Sequence, residues 1–169
     1  MRIDLNALKE GENLIARDLQ DEFFATIEAD TVRKGSVHVR ISALRKGERF
    51  EFAVQVKGVV NVPCDLCLDD LELLIENEGT LLAQLGDHPA EADGLVVVDK
   101  RAGWIDLSWF VYETIVLAVP LRHVHAPGAC NPRMTDLLAK YSAKDPAGQS
   151  DEAQVDARWA ALLKLKDKN

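Results

Sequence analysis

The sequence predicts an α+β fold, a mainly antiparallel β-sheet with helices late in the chain. Three observations carry this. Two long runs, "SVHVRISAL" and "RFEFAVQVKGVVNV", alternate apolar and polar residues with the period of a half-buried strand. The short run Lys46–Glu48, "KGE", separates them as a hairpin requires. Sustained helical spacing begins only after Asp106, in "LSWFVYETIV".

Taken in order, Arg2–Leu8 alternate weakly and predict a short first strand, after which Gly11 and Asn13 predict a turn. Phe23 and Phe24 fit a short helical turn or a strand end equally well. In the first long run Val37, Val39, Ile41 and Ala43 share one face, while His38, Arg40 and Ser42 share the other. In the second, Phe50, Phe52, Val54, Val56, Val60 and Val62 hold one parity. Gly58 interrupts that run and predicts a bulge or bend. Cys64 continues the parity, so its side chain is expected inward or at the rim. Leu71, Leu73 and Ile75 resume the alternation, and Leu81, Leu82 and Leu85 follow. Gly86–Gly94 reads as an acidic loop and "LVVVD" as a short buried strand.

A helix is expected from about Ser108, capped by Asp106 or Ser108, with Trp109, Tyr112, Val116 and Val119 as its stripe and Pro120 ending it. Arg133–Tyr141 predicts a second short helix. Beyond it "SAKDPAGQSDE" has linker composition, and Val155, Trp159, Leu162 and Leu163 share one face of a terminal helix. The expected organisation is a domain over 1–141, a linker over 142–152 and a C-terminal amphipathic helix over 153–169.

Composition agrees with a globular protein. Of 169 residues, 47% are hydrophobic and 28% charged, enough for one core. No apolar run approaches the ~20 residues of a membrane span, and "MRIDLNALKEGE" lacks an apolar signal core. A soluble, cytoplasmic protein with no membrane partner is expected. Three cysteines, an odd number in a reducing compartment, point to a metal, catalysis or plain burial, not to a disulfide framework.

The net charge of −8 is unevenly distributed. Cys64–Asp99 holds ten carboxylates and no Lys or Arg, whereas Thr31–Val62 carries seven basic and two acidic residues. Pro120–Lys144 has four basic residues and one acid. An acidic whole can therefore present basic surfaces to phosphate, although solvated faces account for the same blocks.

Cys64 and Cys67 form a CxxC pair, and the late run "HVHAPGAC" places His123 and His125 before Cys130. A Cys64, Cys67, His125, Cys130 set would supply three thiolates and one imidazole, a common structural zinc combination. Four residues between His125 and Cys130 make an irregular spacing. Small, partly buried cysteines with no metal are the competing reading. A redox dithiol is disfavoured, because no helix starts after the motif and Asp65, Asp69 and Asp70 would raise the thiol pKa values. His38 and His88 read as surface residues. Asp69 with Asp70, and Glu76 with Glu78, lack a nucleophile or phosphate-cradling loop nearby, so no active site and no small-molecule substrate are evident.

These motifs carry a resemblance. "CDLCLDDLEL", the opening "LNALKEGENLI…EFF", "IDLSWFVYETIVLAVPLRHVH", "CNPRM" and the ending "DARWAALLKLK" together resemble the YceD family of large ribosomal RNA subunit accumulation proteins. The ending is similar to that of the family's Bacteroidetes-type branch. The matching positions are Cys64, Cys67, Tyr112, Glu113, Pro120, His125, Cys130, Arg158 and Trp159, which favours His125 over His123 as a ligand. Leu66 stands where the family often has Arg, and Ala157 where it has Pro.

The resemblance implies a role in accumulation or processing of large-subunit rRNA and no known catalysis. The expectation is a non-enzymatic ribosome-biogenesis factor whose partners are large-subunit rRNA or ribosomal proteins. Arg40, Arg45, Lys46, Arg133, Arg158 and Trp159 are its candidate contacts. The alternative is a protein-interaction adaptor without nucleic-acid contact, using the acidic Cys64–Asp99 region and the Trp159 helix.

Overall fold

In a computed structural model the described residues are 1–28, 31–92 and 94–142. They form β1 (Arg2–Asp4), β2 (Gly11–Leu19), α1 (Asp21–Ile27), β3 (Lys34–Lys46), β4 (Arg49–Pro63) and β5 (Asp70–Gly86). After these come β6 (Ala90–Ala92), β7 (Leu95–Asp99), β8 (Trp104–Asp106), α2 (Ser108–Val116) and α3 (Pro132–Tyr141). The fold is α+β, as the alternation predicts. One compact unit covers Met1–Thr135, and a second begins at Asp136. The expected linker beyond Ser142 and the terminal helix, with Arg158 and Trp159, lie outside the described residues.

The main sheet runs in the order β2-β3-β4-β5-β7-β6, antiparallel except where β5 meets β7. Its long strands register without slippage, Ile41 opposite Val54 and Val54 opposite Gly79. One face is apolar. Val37, Val39, Ile41, Phe50, Phe52, Val54, Val56 and Ile75 are buried on it. The helices cover that face: a Cβ on Gly79 would meet Thr114 and Phe110 of α2, and Phe24 of α1 is buried in the same core. Tyr112 reaches across the core, its hydroxyl accepting the Val32 N–H at 3.2 Å. The opposite face of the long strands is exposed.

Several local expectations change. The first strand ends at Asp4, not Leu8. Gly11 and Asn13 do shape a turn, but at the first residues of β2. The Asn13 amide donates to the carbonyls of Lys9 and Gly11 and accepts the Lys9 N–H, while its backbone pairs with Ala43. Gly58 makes no bulge, since Val37 and Ile75 stand directly opposite it. Glycine is needed because the neighbouring strand approaches: a Cβ there would collide with the Ser36 carbonyl and lie 2.6 Å from the Val37 Cα. β7 is mostly half-buried, with only a three-residue strand outside it.

The buried residues of α2 are Val111, Tyr112, Thr114 and Ile115. Trp109 is exposed and bonds Glu113 through its indole N–H, so the stripe is rotated from the expected one. The helix ends at Val116, before Pro120.

Candidate metal centre

β4 delivers Cys64. Its even-numbered side chains face the core through Val62, and Cys64, one step past the strand end, is fully buried. The chain then turns tightly. The Cys64 carbonyl accepts the Leu68 N–H at 2.9 Å, and the Cys64 N–H donates to the Asp69 carbonyl at 2.9 Å. Leu68 closes this turn in the left-handed region at φ 64°, a conformation that costs about 1–2 kcal/mol in a residue with a Cβ. The turn folds Cys67 back beside Cys64 and directs the Leu66 N–H at the Cys64 Sγ, 3.5 Å away.

The second pair comes from the segment after α2. The Ala126 carbonyl accepts the Ala129 N–H at 2.9 Å, with Pro127 and Gly128 between them and Gly128 at φ 84°. This is the pattern of a type II turn. It explains the four-residue gap, because reversing the chain there brings His125 and Cys130 side by side. Asn131 then caps α3 through its Oδ1, which accepts the Arg133 N–H at 3.1 Å, and Pro132 occupies the first helical position.

The four ligand atoms lie within 4.8 Å of one another. Cys64 Sγ is 3.9 Å from Cys130 Sγ, and His125 Nδ1 is 3.4 Å from Cys67 Sγ and 3.9 Å from Cys130 Sγ. A tetrahedral zinc with Zn–S of about 2.3 Å and Zn–N of about 2.0 Å requires edges of roughly 3.5–3.8 Å. The residues fit such an ion. The other imidazole nitrogen, Nε2, faces the Asp70 carbonyl at 3.2 Å, the outer contact that fixes a ligating histidine's tautomer.

The two arms are also bonded to each other. The Asp65 N–H donates to the His123 carbonyl at 3.0 Å, and the Asp65 carboxylate accepts the His123 N–H at 2.7 Å. Asn131 donates to the Asp69 carboxylate at 3.2 Å. His123, the other candidate histidine, therefore serves in this clamp with its ring against Asp65 and the Pro120 carbonyl. Sequence reasoning missed the clamp and took Asp65 and Asp69 as electrostatic neighbours of the thiols. The Pro127–Gly128 dipeptide was the available signal for the second turn.

The acids were expected to raise the thiol pKa values, but Cys64 moves the other way. Burial pushes its thiol up, yet the N–H groups of Cys67, Leu66 and His125 outweigh this and bring it down to about 6. Cys130 is pushed up to about 11 by burial and by the neighbouring sulfurs of Cys64 and Cys67. His125 is raised, chiefly by its bond to Cys64. Three thiols this close do not all ionise alone, whereas a dication among them would let them.

The other candidate contacts do not converge. Arg40 lies on the exposed face of β3, and Lys46 sits at the distant β3–β4 turn. Arg45 donates to the Leu8 carbonyl at 2.7 Å and lies over the Phe50 ring. Arg133 is in the first turn of α3, next to the candidate metal centre. No described helix is long and apolar enough to cross a membrane.

No curated protein and no solved structure matches the chain. A family model described as "Large ribosomal RNA subunit accumulation protein YceD" matches residues 52–166, a span that contains all four clustered ligands. With more than half of its length under that match, the chain belongs to the YceD family of large ribosomal RNA subunit accumulation proteins.

Proposed function

We propose that this chain is a non-enzymatic, cytoplasmic factor that supports accumulation or processing of large-subunit rRNA through binding, and that Cys64, Cys67, His125 and Cys130 hold a structural zinc. The observation that carries the first part is the family match over residues 52–166, whose description names that role. For the second, the support is the near-tetrahedral spacing of three sulfurs and one imidazole nitrogen. Four protein ligands complete zinc's usual coordination and leave no position for a substrate or water, which suits a structural ion.

In this reading the zinc joins the β4–β5 turn to the segment before α3 and gives a binding surface a fixed shape. The test is genetic and biochemical. Loss of the gene should lower the ratio of mature large-subunit to small-subunit rRNA, and the intact gene should restore it. An unchanged ratio overturns the role. Metal analysis of untagged protein should find about one zinc per chain. Less than about 0.1 overturns the zinc assignment and leaves the rRNA role standing.

A further inference from the structure

The exposed face of β2–β5 differs from what the linear charge blocks suggest. Pairing lays the basic β3 and β4 between the acidic β5 and the mixed β2. The outward residues include six carboxylates, Glu12, Asp18, Glu51, Glu72, Glu76 and Glu78, against two cations, Arg40 and Lys57. Two of the acids are answered on the face, Asp18 by His38 at 2.6 Å and Glu76 by Lys57 at 2.8 Å. Glu51, Glu72 and Glu78 have no ionic partner among the described residues.

Three large apolar side chains stand on the same face, Leu14 at 75%, Leu74 at 88% and Leu82 at 46% exposure. A groove of about 710 Å³, lined by His38, Arg40, Gln55, Lys57, Glu76 and Glu78 among others, opens here. A neighbouring depression of about 370 Å³ shares Arg40 and Gln55 and reaches Glu12 and Leu14 on β2. Together they make a trough across the four long strands, roughly 14 Å wide at the usual strand spacing.

We infer that this face docks a basic polypeptide segment, Lys/Arg-rich with interspersed apolar residues, from a protein partner. Complementary charge selects such a segment and steers its approach. The exposed leucines give it apolar contacts of the kind that mark interaction surfaces. RNA is disfavoured on two counts. Its phosphates meet an excess of carboxylates, and the outward side chains of β2–β5 include no Phe, Tyr or Trp on which bases stack. The inference rests on the assembly-factor reading above for its setting, and names the class of partner.

The test uses full-length protein, a fluorescent 12-residue Lys/Arg/Leu peptide and a 12-nucleotide single-stranded RNA, by anisotropy at low and at physiological salt. The variants are the double substitution Glu51→Lys, Glu78→Lys and the single Arg40→Glu, all at exposed positions. The inference expects the double variant to bind the peptide at least ~10-fold more weakly and Arg40→Glu several-fold more tightly, with salt weakening every case.

Opposite signs, with RNA binding gained in the double variant and lost in Arg40→Glu, make the face an RNA surface and overturn the inference. Peptide binding that is absent at low salt, or indifferent to all three substitutions, also overturns it. So does self-association of the protein that the double variant abolishes, or binding confined to a peptide of residues 155–169. Normal rRNA ratios in the deletion strain, with peptide binding intact, would remove the assembly-factor reading alone.

Discussion

The two ends of β4 are ordered by different physics. At Arg49–Val56 the strand is held by apolar packing, with Phe50 and Phe52 stacked at 6.4 Å and both buried in the core beneath the sheet. At Pro63–Leu68 the same strand passes into a turn whose partners are sulfur, imidazole, carbonyl and carboxylate. A packed sheet holds itself, but a loop of exposed Asp and Leu residues with two buried thiols has little apolar area to bury. The comparison teaches that the Cys64 end needs either the zinc or the cross-loop hydrogen bonds to be ordered, and the following tests separate these.

Metal removal should have the largest effect. Structural zinc binds with an apparent free energy of about 10–16 kcal/mol in small fingers. Extracting it with a chelator, or substituting Cys67→Ser, should open the loops while the sheet persists. Hydrogen exchange should show the amides of Leu66, Leu68, His123 and Ala129 losing protection by at least ~100-fold, with those of Val39 and Val54 nearly unchanged. Equal loss at both ends would break the contrast, because the sheet would then depend on the metal too.

Phe52→Ala tests the other end. Removing a fully buried aromatic ring costs about 3–5 kcal/mol through lost burial and a cavity. Urea unfolding should report that loss while the zinc content stays at the wild-type value. A variant that unfolds with the metal released from the folded state would show that the two ends are coupled through β4.

The centre of the strand offers a third test. Gly58→Ala should destabilise by about 1–3 kcal/mol, because the added methyl meets the Ser36 carbonyl and the Val37 Cα of β3, backbone that has no rotamer to give. Denaturant midpoints for Gly58→Ala and wild type check this. A change below ~0.5 kcal/mol would mean that β3 and β4 shift apart freely at this point.

Legibility from sequence follows the same division. The long strands were readable because their period of two is local and Phe50, Phe52, Val54 and Val56 display it directly. The ligand set was readable because the chain offers only three cysteines, yet spacing left His123 and His125 open until the clamp with Asp65 was seen. What pairing decides was not readable. Neither the interleaving of acidic β5 with basic β4 nor the rotated face of α2 follows from any single segment, since register and packing against distant residues set both. Gly11 and Asn13 misled for a related reason, as turn chemistry and strand pairing occupy the same residues at the start of β2.

The smallest effect belongs to Asp106, a polar junction without a metal, and it calibrates what hydrogen bonds alone can do. Burial pushes this carboxyl up, but the amino-terminal ammonium at 2.7 Å and the Ser108 hydroxyl and N–H outweigh it, lowering its pKa from 3.8 to about 2. The folded pKa is depressed, so the stabilisation is fully present above the unfolded value and fades as pH falls from about 4 through about 2. Its side chain is 44% exposed, and solvent screening reduces the contribution to about 0.5–1 kcal/mol. Asp106→Asn should lose that amount at neutral pH and nothing near pH 2, measured as the difference in unfolding free energy across the range. If chelation at the Cys64 end costs no more than Asp106→Asn does here, hydrogen bonds between the loops suffice there as well, and zinc is not what orders that end.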